Sequence, residues 1–167
     1  MKCKLSEICE YAKGKVELSE LTEKNYISTE NMLPNKAGIT IASSLPSTAQ
    51  TQRYQKNDVL VSNIRPYFKK VWLATHDGGC SNDILVFKAN GEISSEYLYY
   101  VLSTDEFFEY SMATSKGTKM PRGDKKAIME YEIFNHDIDT QKKIASLLKS
   151  LDDKIEVNNT INDNLAV

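Results

Sequence analysis

Residues 139–167 read DTQKKIASLLKSLDDKIEVNNTINDNLAV, a stretch with no Gly or Pro. Along it, Ile144, Leu148, Leu151, Ile155, Asn158, Asn162 and Leu165 recur at alternating spacings of 4 and 3. That is the a/d stripe of a coiled-coil seam. It predicts one uninterrupted helix with Asp137, Asp139 or Thr140 as N-cap. At 1.5 Å per residue, positions 141–165 would span roughly 37 Å, longer than packing on a small domain demands. Two readings stand: an amphipathic helix lying on its own domain, or a seam for a partner helix. The two asparagines favour the second, because polar seam residues lose stability but fix register. The stripe is still running at Val167, as expected of a fragment or short variant of something longer.

Upstream of this helix the pattern changes in kind. Short apolar runs separated by turn residues predict strands at Ile39–Ser43, Asp58–Ser62, Val71–Ala74, Asp83–Lys88 and Tyr131–Phe134. Turn signals lie at Leu33-Pro34-Asn35-Lys36, His76-Asp77-Gly78-Gly79 and Asn90-Gly91. The second and fourth runs are continuously apolar and read as central strands, buried on both faces. Ser94 or Ser95 can cap a helix carrying Tyr97, Leu98, Val101 and Leu102, and Thr104 can restart it through Phe107, Phe108 and Met112. The fold class is therefore α+β: a globular domain over 1–138 with a twisted mixed sheet and flanking helices, then a coiled-coil-type helix over 139–167.

Composition bounds what such a chain does. Its 167 residues, 41% hydrophobic and 26% charged, suit one soluble globular domain with a small appendage. Apolar runs fall far short of the roughly 20 residues of a membrane helix. No secretory h-region follows Met1, so the cytoplasm is the default. Cys3, Cys9 and Cys80 form no CxxC pair, and His76 and His136 are isolated, which argues against a metal site. The net charge of −2 conceals a gradient: zero over residues 1–50, +2 over 51–126 and −4 over 127–167. Local field, not the sum, steers a charged partner.

Two windows concentrate positive charge. Ser62-Asn63-Ile64-Arg65-Pro66-Tyr67-Phe68-Lys69-Lys70 leaves a central strand, and Pro66 ends regular pairing there. Cations interleaved with aromatics suit phosphate pairing and groove contact. The competing reading is a surface loop with Tyr67 and Phe68 packed inward. The window 115–126 holds Lys116, Lys119, Arg122, Lys125 and Lys126 against Asp124, a net of +4, beside Gly117, Thr118 and Gly123. Close backbone approach and hydroxyl donors there fit an anion-binding loop. Ser81 and Asn82, at the corner of Cys80-Ser81-Asn82-Asp83, can read base edges or cap their own turn. No GxGxxG or GxxxxGK[ST] occurs, no Glu-x-Lys tripeptide is present, and nothing favours a His-based triad. No catalytic residue, cofactor or metal is expected.

Tyr26 to Pro34, Asn57 to Tyr67, Cys80 to Asp83, Gly117-Thr118-Lys119-Met120-Pro121-Arg122, Gln141-Lys142-Lys143-Ile144-Ala145 and Leu148 to Asn158 occur in this order. As an ordered set they resemble the DNA-specificity subunit of type I restriction-modification systems. The resemblance implies a non-catalytic reader of one half of a bipartite site in double-stranded DNA. Its helix would dock the methyltransferase subunit, with the restriction subunit joining the assembly. The family pattern has two recognition domains and two long helices, whereas this chain has one domain and about half of one helix. It resembles a half subunit, for which a second copy or second half subunit through the helix is a further expected partner. On this reading the DNA face comprises Ser28, Asn31, Asn63, Arg65, Tyr67, Lys69, Lys70, Ser81, Asn82, Lys116, Thr118, Lys119, Arg122 and Lys125. Lys and Arg hold phosphates, while Asn31, Asn63, Tyr67, Asn82 and Arg65 are the candidates for base contact. The alternative is a protein-interaction adaptor that acts through the helix and whose basic loops are incidental.

Overall fold

A computed structural model describes residues 1–166, so Val167 and its place in the predicted helix lie outside the described residues. In chain order the elements are β1 (Lys2–Lys4), α1 (Leu5–Ile8), β2 (Cys9–Tyr11), β3 (Lys15–Glu17), β4 (Tyr26–Ile27), β5 (Gln50–Tyr54) and β6 (Val59–Ser62). Then follow β7 (Val71–Leu73), β8 (Gly78–Cys80), β9 (Ile84–Ala89), α2 (Ser95–Leu102), α3 (Asp105–Ala113), α4 (Lys125–Met129), β10 (Glu132–Phe134) and α5 (Ile138–Leu165). Single 3-10 turns occur at Leu18–Glu20 and Pro66–Phe68.

The two continuously apolar runs pair with each other. β6 and β9 are antiparallel, with Val59 opposite Phe87 and Val61 opposite Leu85. They form the middle of a four-stranded sheet ordered β2-β9-β6-β7. Strand residues alternate between faces, and here both faces are covered. Val59, Val61, Leu85 and Phe87 join Leu98, Leu102, Phe107 and Phe108 of α2 and α3 in one core. Leu60, Ile84 and Val86 join Ile27, Tyr54 and Cys80 in another. That second core faces the sheet β3-β5-β8-β4, in which β4 and β8 are parallel and the other pairs antiparallel. A two-stranded ribbon, β1 with β10, ties the start of the chain to the segment before α5. The expected sheet is thus two four-stranded sheets and a ribbon.

Two local expectations are corrected. Ile39–Ser43 forms no strand; a single bridge, Met32 to Ile39, is its only ladder contact among the described residues, and Ile41 is exposed. Ile39 and Ala42 pack inward, but with one bridged partner residue the run has no strand to extend along. Gly78-Gly79 is a buried strand rather than a turn, because its missing side chains admit neighbouring backbone. A Cβ on Gly78 would lie 2.1 Å from the Asn25 carbonyl oxygen.

The helices start where side chains can take orphan amides. Ser94 accepts from the Tyr97 N–H, Thr104 from the Phe107 N–H, and Asp137 from the Thr140 N–H at the head of α5. Of the three candidate caps for the long helix, Asp137 is the one used. Gln141 and Ala145 are buried at the root of α5, and Ile144 packs against the core. From Lys149 onward every described residue of α5 is exposed. No described helix is long and apolar enough to cross a membrane. The three cysteines are free, and burial pushes the Cys9 and Cys80 thiols up to about 12.

Candidate nucleic-acid interface

Three windows that are far apart in sequence are stitched together by backbone hydrogen bonds. Where the chain leaves β6, the Asn63 N–H donates to the Asp83 carbonyl at 2.7 Å and the Arg65 N–H to the Pro121 carbonyl at 2.8 Å. In return the Gly123 N–H donates to the Asn63 carbonyl at 3.0 Å. Lys116 and Arg122 exchange two backbone bonds of 2.9 Å each, closing residues 116–122 into a hairpin. The loop 28–31 joins the cluster through the Lys70 ammonium, which donates to the Thr29 carbonyl at 2.6 Å. Segments 28–31, 62–70, 81–83 and 116–123 therefore share one surface. A concavity of about 410 Å³ opens beside them, lined by Ser28, Thr29, Asn31, Ser43, Ser81 and Asp83.

The 62–70 loop is held in a strained conformation. Arg65 and Lys69 both have left-handed backbone, at φ 49° and 52°, on either side of the Pro66–Phe68 turn. Asn35 and Lys36, at φ 56° and 62°, lie against them. The Asn35 N–H donates to the Phe68 carbonyl and the Lys36 N–H to the Lys69 carbonyl, each at 2.8 Å. Each non-glycine residue in this region costs about 1 kcal/mol and persists only where its surroundings impose it. An ionic clasp reinforces the junction: Lys36 and Lys69 reach the same Asp105 oxygen at 3.0 and 2.9 Å. Those ammonium groups hold the Asp105 carboxyl below its ordinary range. Tyr67 and Phe68, 47% and 40% exposed, are presented outward rather than packed inward, their ring centroids 4.8 Å apart.

The expected contact residues fall into three groups. Tyr67, Asn82, Lys116, Thr118, Lys119, Arg122 and Lys125 are exposed. Ser28, Arg65, Lys69, Lys70 and Ser81 are half-buried; burial, then the neighbouring Arg65 charge, lowers the Lys70 pKa. Asn31 and Asn63 are buried. The Asn31 side chain is fully engaged: its Oδ1 accepts from the Ser28 N–H and hydroxyl, and its Nδ2 donates to the Tyr26 and Thr40 carbonyls. It braces the 28–31 loop from within. Among the described residues, Asn63 Oδ1 is buried without a partner, as is Arg65 Nε. Gly123 lies over Asn63, and a Cβ there would come to 2.5 Å of that oxygen. Ser81 caps its own turn, its hydroxyl accepting from the Asp83 N–H.

Of the counter-ions, Asp124 lies within the basic window itself, whereas Asp83 comes from a separate segment. Lys116 pairs with Asp124 at 3.1 Å and Arg122 with Asp83 at 2.7 Å, so the positive face carries its own acidic partners. Lys36, read from sequence only as part of a turn, belongs to the clasp.

On α5 the stripe divides. Ile144 and Leu148 are half-buried, whereas Leu151, Ile155 and Leu165 are exposed, together with Asn158 and Asn162. Leu147, Val157 and Ile161 are exposed as well, with Leu147 four residues before Leu151 and Ile161 four before Leu165. The Tyr100 hydroxyl donates to Asp152 at 2.8 Å, and desolvation with this bond pushes the phenol well above its ordinary range. A groove of about 800 Å³ runs beside this contact, lined by Trp72, Tyr99, Tyr100, Leu148, Asp152 and Ile155 among others.

Residues 1–166 match the family model described as the type I restriction modification DNA specificity domain. A curated relative, the type I restriction enzyme HindI specificity subunit of Haemophilus influenzae, is 30% identical over 149 residues, covering 84% of this chain and 32% of that protein. The crystal structure of an HsdS subunit from Thermoanaerobacter tengcongensis superposes with a TM-score of 0.72 at 21% identity, covering 93% of this chain and 43% of that one. A chain from a structural study of complex assembly and conformational transition of the type I R-M system gives 0.75 at 22%, covering 96% and 44%. The chain thus spans about a third of the curated relative and less than half of either solved chain.

Proposed function

Because the chain belongs to the type I restriction modification DNA specificity family, we propose that it is a non-catalytic, sequence-reading module of such a system, working in the cytoplasm. Residues 1–138 contact one half of a bipartite target in double-stranded DNA, and residues 139–167 carry the partner surface. That surface takes the methyltransferase subunit, through which the restriction subunit is recruited, and a second copy or second half subunit. The observation that carries the DNA reading is the convergence of segments 28–31, 62–70, 81–83 and 116–123 on one face rich in cations. Lys116, Lys119, Lys125 and Lys70 act on phosphates, and Tyr67 and Asn82 face the bases. Asn63 and Arg65, with their unpartnered buried atoms, sit where the loops join and set the height of the hairpin over the groove.

Fluorescence anisotropy of a labelled duplex tests this directly. Affinity falls by orders of magnitude between about 50 and 200 mM salt if several phosphates are neutralised. Lys119→Ala reduces the salt slope by about one while weakening all sequences alike. An affinity indifferent to salt overturns the reading.

One observation favours a second reading, the adaptor: among the described residues, seven large apolar side chains on α5 stand exposed. An adaptor loses all function when that stripe is disrupted, whereas a recognition module keeps its duplex binding.

A further inference from the structure

We propose that Asp83 and Arg122 form one guanine-reading unit, in which Arg122 contacts the base edge and Asp83 is its positioning residue. The inference rests on the DNA-recognition reading above and assigns it a base and a specificity-determining carboxylate.

Arg122 shares its paired backbone bonds with Lys116, and adds a contact that Lys116 lacks. Its backbone N–H and carbonyl are both bonded to Lys116, and it also forms a bridge to Ile64. Its neighbours Pro121 and Gly123 are buried. The Cα–Cβ vector is therefore set by two flanking segments, those of Lys116 and Ile64. At the far end, Nη1 lies 2.7 Å from Asp83 Oδ1, yet the side chain remains 53% exposed. Asp83 is fixed in turn: its carbonyl accepts from Asn63 and its N–H donates to the Ser81 hydroxyl. Both halves of the pair thus stand on anchored loops.

Two physical consequences follow. A guanidinium tethered at one nitrogen has fewer rotamers to lose, and its remaining edge can offer two parallel N–H groups to guanine O6 and N7. A carboxylate beside it repels phosphate, which steers this arginine away from the backbone and toward the base edges. Lys119 and Lys125 have no ion-pair partner among the described residues and suit phosphates better. Lys116 and Lys69 also lie beside carboxylates, but only a guanidinium has the planar fork that matches a pair of acceptors, and Arg122 is the exposed arginine of this face.

The Asp83 carboxylate has Arg122 as its one side-chain partner among the described residues. Asp83→Asn, nearly identical in shape, therefore leaves the fold intact, and a thermal melt checks this. Full-length wild type, Asp83→Asn, Asp83→Glu and Arg122→Lys are each used to select from a random-sequence duplex library. Affinity for the unselected library is measured in parallel. The expected result is a guanine position in the wild-type site whose preference falls about tenfold in Asp83→Asn and Arg122→Lys. Asp83→Glu, which can restore the ion pair, recovers it. Unselected-duplex affinity of Asp83→Asn holds or rises, since a negative charge has left the face. A guanine preference unchanged in Asp83→Asn overturns the proposal. So does a uniform affinity loss in Arg122→Lys with the preference kept, which makes Arg122 a phosphate contact. Wild-type binding that is salt-dependent but unselective defeats the guanine unit and leaves the DNA reading standing. No duplex binding at all defeats both.

Discussion

The loop face and the helix α5 solve opposite problems. The face is assembled from pieces too short to hold themselves, and contacts across the chain fix it: Asn63 to Asp83, Arg65 to Pro121, Gly123 to Asn63. Much of its charge is already paired within the chain, with Asp83, Asp105 and Asp124. The helix is local. One cap at Asp137 starts it and its own ladder carries it onward, while beyond Lys149 its side chains are exposed. Its apolar stripe is covered by the domain only at Ile144 and Leu148, and from Leu151 on its described residues are exposed. A surface braced internally keeps the rigid shape that the proposed groove reading needs, whereas exposed apolar residues on a helix are open to the proposed partner.

The contrast breaks most severely at the point where the two regions meet. Gln141 is fully buried at the root of α5. Its Oε1 accepts from the Ser94 N–H, and its Nε2 donates to the Glu92 and His136 carbonyls and reaches Asn135. Gln141→Leu fits the space but takes the partner from the part-buried Ser94 N–H and the Glu92 and His136 carbonyls, at about 1–3 kcal/mol for each group that water does not reach. We expect a loss of about 3 kcal/mol by chemical denaturation, together with loosening of the helix from α2. An unchanged denaturation midpoint means the helix is seated by its apolar contacts alone.

A smaller and more local effect belongs to the face. Gly123→Ala drives a Cβ to 2.5 Å from Asn63 Oδ1, 3.0 Å from Ile128 and 3.1 Å from the Ser111 hydroxyl. Overpacking of this kind costs about 2 kcal/mol. It also lifts the 116–122 hairpin away from Arg65, so duplex affinity falls while association through α5 is untouched. Loss of both properties together, in a protein that still melts cooperatively, shows that face and helix are one unit.

The same division governs what the sequence made legible. The period of α5, a cap among Asp137, Asp139 and Thr140, and the two central strands are short-range patterns, and they read directly from the residues. The basic windows were visible as composition, but their meeting depends on bonds spanning up to sixty residues. Asn31 and Asn82 look alike as exposed-loop candidates; only the carbonyls of Tyr26 and Thr40 draw the first inside. Gly78-Gly79 has a turn's composition, yet it is a strand because neighbouring backbone needs the room. Likewise Leu148 and Leu151 occupy equivalent stripe positions. Which of them meets the body depends on where the domain surface ends, and no periodicity encodes that.

That last distinction gives the gentlest test, one that leaves the fold alone. Leu151 and Ile155 are 52% and 57% exposed, so removing them takes little buried area from the chain. The pair Leu151→Glu with Ile155→Lys keeps good helix formers and places opposite charges at i,i+4 in the favourable order. Stability should stay within about 0.5 kcal/mol of the parent, and duplex binding should be unchanged at matched salt. Association with a second copy or with the methyltransferase subunit, followed by sedimentation, should be lost. A clear fall in melting temperature means the stripe is packed on its own domain after all. If stability holds but duplex binding disappears with association, the helix carries the function and the basic loops are incidental. Only the separation of the two readouts supports a chain in which one surface reads DNA and the other recruits the partner.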